Sequence, residues 1–412
     1  MKYFYRVEQH IVKTSNKYYG MLDEYAIASK NMYNKALYVQ RAYYFKYHKF
    51  INYVDLWNEV KSTDEAKKLP LANMCQTICR QVTNDCFTFK KTEKAFFNNP
   101  DHFNNIVKLP NYKRKNKRNI IELYAPNVKI KNEYLEFPMS FNGFRLYIKN
   151  RINEVEEVRI TRKNRDYIVD IVYMITIKEE NYNLESGAAI DLGVDNFATI
   201  VITSSEKPVQ PKIINGKGLK SYNKRFNSKI NYYKTEAKIK NKKLYTRRIN
   251  KLYECRRNFM KNFMHQASRK TIDWCLENKV KYLVIGYNHG WKNKCKMSKG
   301  NYFNFMMIPY EKYVRMVSYK ARAVGIKVIL HEEAYTSGTS FLDNELPTPE
   351  NYDKSRRVRR GLFISNRGIK INADVNGAYQ ILRKVFPKVT YDNGIVSCCI
   401  QPVKYNVLTN IG

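Results

Sequence analysis

The segment Ala189-Ile190-Asp191-Leu192-Gly193-Val194-Asp195-Asn196-Phe197-Ala198-Thr199 decides how the second half of this chain folds. Apolar runs at 188–191 and 197–203 read as strands, and the turn Gly193-Val194-Asp195-Asn196 between them suits an antiparallel hairpin. Asp191 closes the first run, so a carboxylate sits where side chains are otherwise buried, although turn chemistry alone also favours aspartate there. Downstream, strands at 281–285 and 327–330 alternate with helical periodicity at 217–274, 310–324 and 374–385, the last stopping before Pro387. Alternating strand and helix predicts a layered α/β domain over 184–412, opened by the polar stretch 179–187.

Upstream the texture differs. Residues 3–12 alternate as a strand, and a helical period then begins near residue 20 through Leu22, Tyr25, Ala28, Met32, Ala36 and Val39. Cys75, Cys79 and Cys86 share a helical stripe with Ala72, Val82 and Phe89, where reduced cysteine acts as a small hydrophobe. Asn98-Asn99-Pro100 and Lys108-Leu109-Pro110 end this block. Short strands follow around Val128 and Ile130, Leu135 and Phe137, Val155 to Ile160, and 167–175. They read as a small β-barrel over 105–183 that the strand within 1–19 could join, with the helical block 20–104 inserted.

The 412 residues carry 74 Lys plus Arg against 37 Asp plus Glu, a formal charge of +37. Self-repulsion of that size calls for a polyanion, and the cations run from Lys2 to Lys404 instead of forming one tail. Nucleic acid is the partner this predicts, with the sharpest clusters at Lys113, Arg114 and Lys115; at Lys224, Arg225, Lys229, Lys238, Lys242, Lys243, Arg247 and Arg248; and at Arg356, Arg357, Arg359 and Arg360. Aromatic rings among the basic residues, as in Tyr43-Tyr44-Phe45-Lys46, could stack on unpaired bases where they are not core. Eight cysteines without a C-x-x-C pair, and only Cys398-Cys399 adjacent, indicate neither a disulfide framework nor a thiolate zinc site. No run approaches the roughly 18 apolar residues of a membrane helix, and no signal-peptide core follows Met1, so a soluble protein of a reducing compartment is expected.

Metal-dependent phosphodiester hydrolysis needs convergent carboxylates, and three strand or helix ends offer them. Besides Asp191, Glu332 and Glu333 follow the apolar run 327–331, where successive side chains point to opposite faces, so only one of the two can face the same site. Asp374 lies within Ile371-Asn372-Ala373-Asp374-Val375-Asn376-Gly377-Ala378, where an N-cap role would also explain its residue type.

The segment 189–199 resembles the first RuvC motif of TnpB proteins, and 371–378 resembles the third. Ser29-Lys30-Asn31-Met32-Tyr33-Asn34-Lys35-Ala36-Leu37 and Leu109-Pro110-Asn111-Tyr112-Lys113 also look like that family. TnpB proteins are encoded by bacterial and archaeal insertion sequences and resemble type V CRISPR effectors and Fanzor proteins. The resemblance implies a wedge β-barrel (1–19 and 105–183) with an inserted helical recognition domain (20–104), followed by an RNase H-like RuvC domain (184–412). Two departures stand out. Gly286 occupies the place of the usual second-motif glutamate at the end of Leu283-Val284-Ile285-Gly286, while Glu332-Glu333-Ala334-Tyr335-Thr336-Ser337 resembles a rearranged motif, found in a subset of TnpB and in Fanzor proteins, that supplies the acid from the next strand. Glu333 is preferred to Glu332. In addition, no cysteine lies between Glu333 and Asp374, where typical relatives carry a zinc finger, so no zinc is expected and a basic loop, 336–370, replaces it.

The resemblance implies an RNA-guided DNA endonuclease that pairs a guide RNA from the transposon end with double-stranded target DNA beside a short flanking motif. Asp191 would bridge two Mg²⁺ ions, and Asp374 and the glutamate would each hold one. The location implied is the bacterial cytoplasm, at the nucleoid, although the Lys, Asn and Tyr bias also suits a large virus. The rival reading is a nuclease-dead RNA-guided repressor, given the glycine at 286; a strand-transfer transposase is a third.

Overall fold

Alternation along Gly187–Leu192 sorts the side chains of one strand into two cores. In the computed structural model Ala188, Ile190 and Leu192 join one hydrophobic cluster, while Ala189 joins another. The structure describes residues 2–103, 105–150, 152–177, 187–203, 208–241, 246–288, 303, 305–359, 361–389 and 401–407. Arg360, Lys242, Lys243, the Cys398-Cys399 pair and the expected boundary at 183–184 lie outside the described residues. The chain divides into two compact units, Lys2–Thr176 and a second from Ile177 onward.

In the first unit, β1 (Lys2–Val12) is followed by α1 (Tyr19–Tyr47), α2 (Tyr53–Val60), α3 (Asp64–Lys67) and α4 (Ala72–Asn98). Strands β2 (Ile121–Tyr124), β3 (Lys129–Lys131), β4 (Tyr134–Glu136), β5 (Arg145–Tyr147), β6 (Val155–Lys163) and β7 (Asp166–Ile177) come next. One sheet has the order β1-β7-β6-β2, so the first strand pairs with the last and the helices are inserted between strands of one sheet. β3, β4 and β5 form a separate three-stranded ladder of that order. Pro126 and Pro138, which cannot donate to a ladder, stand before β3 and after β4 and interrupt it. Cys75, Cys79 and Cys86 are buried in the core, where desolvation pushes their thiols up to about 11, 12 and 12.

The second unit is built on six strands: β8 (Gly187–Leu192), β9 (Asn196–Thr203), β10 (Lys212–Asn215), β11 (Tyr282–Gly286), β12 (Lys327–His331) and, after the short antiparallel pair β13 (Phe363–Ile364) and β14 (Lys370–Ile371), β15 (Val403–Tyr405). Their order in the sheet is β12-β11-β8-β9-β10-β15. β8 and β9 form the expected antiparallel hairpin, and β8, β11 and β12 run parallel. Helices α6 (Arg247–Glu277) and α7 (Tyr310–Arg322) pack on one face through Phe263, Trp274, Tyr313 and Val317. Helix α8 (Ala373–Val385) covers the other face through Val375, Ala378 and Ile381. The stretch expected to be helical over 217–274 is a hairpin of α5 (Lys217–Asn241) and α6, zipped by Tyr222 stacked on Phe259 at 3.7 Å and by Phe226 against Tyr253. Two strands of this sheet had no counterpart in the sequence pattern: β10, which is only four residues long, and β15, which runs parallel to it near the C-terminal end of the described residues.

The segment 336–370 is held by ion pairs. Arg356 donates to both oxygens of Glu345, at 2.7 and 2.9 Å, and to the carbonyls of Gly338 and Asn351, each at 2.8 Å. Buried Arg383 of α8 donates to the carbonyl of Glu345 and to Asn344, and the side chain of Asn376 bridges Phe341 N and the Thr339 carbonyl. These contacts tie the strap to the helix that carries Asp374. Arg356→Ala leaves the carboxylate of Glu345 without its main partner, and we expect about 3 kcal/mol lower stability, read as a lower urea midpoint of the full chain. Arg356→Lys should recover only part of it, because an ammonium cannot make the two-pronged contact.

Candidate active site

Period-two alternation places Ala189 and Asp191 of β8 on the α8 face of the sheet. Val284 lies on the same face, and so does Gly286, the last residue of the neighbouring parallel strand β11, where Ile285 is level with Ile190. The site is therefore at the C-terminal edge of parallel strands, the usual ligand position in such sheets. α8 begins over this edge. Asn372 caps it by accepting from Asp374 N and Val375 N, so the capping role that could have explained Asp374 belongs to Asn372, and the aspartate side chain is left for the cleft. One turn on, a Cβ at Gly377 would lie 3.2 Å from Asp191 Oδ2, so glycine lets the helix approach that carboxylate.

The third acid arrives from β12. Glu333 lies two residues beyond that strand, its backbone N–H donating to Asn288 Oδ1 at 2.9 Å. Its side chain fills the space over Gly286, where a Cβ would come within 2.6 Å of Glu333 Oε1 and of Ile381 Cδ1. Gly286 is thus the opening through which a neighbouring strand's carboxylate reaches the site. Glu332, the other acid of the expected pair, is exposed and absent from the cleft wall, as expected for adjacent residues of an extended chain.

A cleft of about 710 Å³ gathers Asp191, Glu333 and Asp374 with Asp195, Asn196, Thr336 and Ser337, and with three cations, Lys217, Arg357 and Lys404. Burial, then the charges of Glu333 and Asp374, push the carboxyl of Asp191 well above its ordinary range, with Arg357 opposing. Burial pushes Glu333 up to about 7, with Lys384 opposing, and its Oε1 is buried without a hydrogen-bond partner. Asp374 accepts from Asn196 Nδ2 at 2.7 Å and from Arg357 Nη2 at 3.1 Å. No three His, Cys, Asp or Glu side chains among the described residues form a closed ligand cluster. The donor set still fits a hard divalent cation: all its ligands are carboxylate oxygens, two carboxyls resist ionisation unless positive charge is supplied, and Glu333 Oε1 lacks any other partner.

The expected nucleic-acid residues divide into two groups. Arg114, Lys115, Lys224, Arg225, Lys229, Lys238, Arg247, Arg248, Arg357 and Arg359 are exposed, with Arg248 over the ring of Tyr233 at 4.1 Å. Lys113 is instead half-buried, its ammonium 3.8 Å from the ring centre of Tyr33 and bonded to Asn119, and burial lowers its pKa. Arg356 is the centre of the strap described above. Both are partly buried and engaged in internal contacts. Sequence reasoning passed over Gly377, Lys217, Lys404 and the Arg357–Asp374 pair; a glycine inside a helix, costly unless something must come close, was the one visible signal.

Comparison with known proteins agrees with this architecture. The OrfB_IS605 family, described as a probable transposase, matches residues 169–292, and the Cas12f1-like TNB domain matches 310–381, which includes Glu333, Arg357 and Asp374. No curated protein matches the chain significantly. Among solved structures, Cas12f1 in complex with sgRNA and target DNA shares the fold at a TM-score of 0.57 and 14% identity, over 88% of this chain and 82% of that one. The mini-RNA-guided endonuclease Cas_phi3 aligns at 0.46 and 10% identity over 92% of both chains. The chain therefore carries OrfB_IS605 and Cas12f1-like TNB regions on a mixed α/β multidomain fold similar to that of Cas12f1. No described helix is long and apolar enough to cross a membrane.

The pKa of Glu333 in the folded chain, about 7, exceeds its ordinary 4.5, so ionising it opposes folding; this cost develops as pH rises between those values and is complete above the higher one. In EDTA, Glu333→Gln should therefore melt above the wild type at about pH 8, with the gain vanishing towards about pH 4. Equal melting temperatures at the higher pH would contradict the burial described here.

Proposed function

We propose that this chain is an RNA-guided DNA endonuclease of the TnpB kind, cutting target DNA beside a short flanking motif with Asp191, Glu333 and Asp374 as its metal ligands. The observation that carries the reading is the carboxylate of Glu333 filling the space over Gly286 beside Asp191, where it would serve in place of an acid on β11. An idle site would have no reason to retain three crowded acids, two of them costly to ionise. Mg²⁺, two ions by analogy with RuvC-like enzymes, would activate water and stabilise the leaving oxygen when bound. The residues present do the rest. Asp191, which feels the charges of both other acids, would be shared; Asn196 and Asn372 fix the orientation of Asp374; Arg357 can exchange its carboxylate for a substrate phosphate.

Specificity would come from guide pairing, in keeping with the RNA and target DNA named for the Cas12f1 complex of similar fold. The exposed cations of the α5–α6 hairpin and of 114–115 would contact phosphates, so they would fix register and add affinity without reading bases.

The protein purified with its co-expressed RNA is expected to cut a matched duplex in Mg²⁺ and to leave it intact in EDTA. Glu333→Gln should lower the rate by about a hundredfold or more, while Glu332→Gln stays near the wild type. Gly286→Ala, whose methyl group would displace the Glu333 carboxylate, should lose cleavage while target binding persists. Binding without Mg²⁺-dependent cutting by the wild type would favour the repressor reading, and joined rather than hydrolysed ends would favour strand transfer.

A further inference from the structure

Four acids line the cleft, and a DNA strand entering it brings more negative charge, so cations must hold the strand there. Of the three in the wall, Arg357 is paired with Asp374. The other two, Lys217 and Lys404, lie far apart in sequence but are brought together by the sheet edge. β15 runs parallel to β10 with Lys404 level with Ile213 and Tyr405 level with Ile214. Tyr405 packs against Trp274 on the α6 face, with ring centres 4.7 Å apart, so alternation turns Lys404 to the opposite face, the one that carries Asp191. Lys217 begins α5 directly after β10, and its backbone N–H donates to Asn215 Oδ1, whose side-chain amide donates in turn to Asn406. Both lysines are exposed. The first turn of α5 contains no acidic residue, and the helix dipole disfavours a cation there, so neither intrahelical pairing nor helix stability accounts for Lys217.

We propose that Lys217 and Lys404 form a clamp for the backbone phosphates of a DNA strand lying across the carboxylates, an inference that rests on the nuclease reading above. Their flexible ammonium groups suit phosphate as point charges and read no sequence. The strand β15 thereby acquires a role in the site, completing the sheet edge and carrying one side of the clamp.

The test uses the full chain with its co-expressed RNA and duplex targets carrying a neutral methylphosphonate at single positions around the cut. Lys404→Ala and Lys217→Ala are each expected to slow single-turnover cleavage about tenfold, with Lys→Arg restoring most of it. On the one or two substrates whose neutralised phosphate is the lysine's partner, the alanine variant should lose nothing more, whereas the wild type does. Wild-type rates in both alanine variants, or equal slowing on every modified substrate, would overturn the clamp. Binding of an unpaired strand in EDTA decides independently of cleavage: each alanine should reduce the salt slope by about 0.7. If the wild type binds but never cuts, the nuclease reading fails; a reduced slope then still supports the clamp, and an unchanged slope overturns it.

Discussion

Repulsion among carboxylates held at the end of a buried sheet is the constraint on which the second unit depends. Asp191 cannot leave the cleft, because Ala189 and Val201 on the same face are locked against α8. Glu333 cannot leave it either without abandoning the space over Gly286. The fold holds these acids together with elements that pack independently of them: a six-stranded sheet, two helices on one face and one on the other. Hydrophobic burial on both faces supplies the stability that the crowded charges consume, as is common where function and folding conflict.

The strap between Glu333 and α8 deals with a second constraint. A segment of this length with so little secondary structure would usually be mobile, yet Asp374 and Arg357 must stand in register with Asp191. Glu345, Arg356, Arg383 and Asn376 set that register through charged and amide contacts made partly out of solvent, where such bonds are directional and strong. The same basic residues that suggested a basic loop in the sequence are thus divided between internal scaffolding at Arg356 and the cleft wall at Arg357, one position apart.

Much of this was legible from residue order. The hairpin 188–203, the parallel strands at 282–286 and 327–331, and the helix after Asn372 all declare themselves through apolar period and capping chemistry, which act locally. The acids could be named for the same reason, since each closes or follows a strongly patterned element. Choosing between Glu332 and Glu333 needed the register of β12 on β11 and the space over Gly286, neither of which is a local property. Lys404 was illegible because β15 is three residues long and exists only by pairing with β10. The internal contacts of Lys113 and Arg356 were not legible, because a cation's surroundings, not its type, decide how far it meets solvent.

The bare backbone at Gly286 also bears on how such sites change through descent. Two parallel strands present their termini to one point, so an acid there can come from either strand, provided the other carries no side chain at that point. What inheritance must preserve is then a location in space rather than a column of letters, and a survey that scores only one strand would overlook an acid supplied by the other.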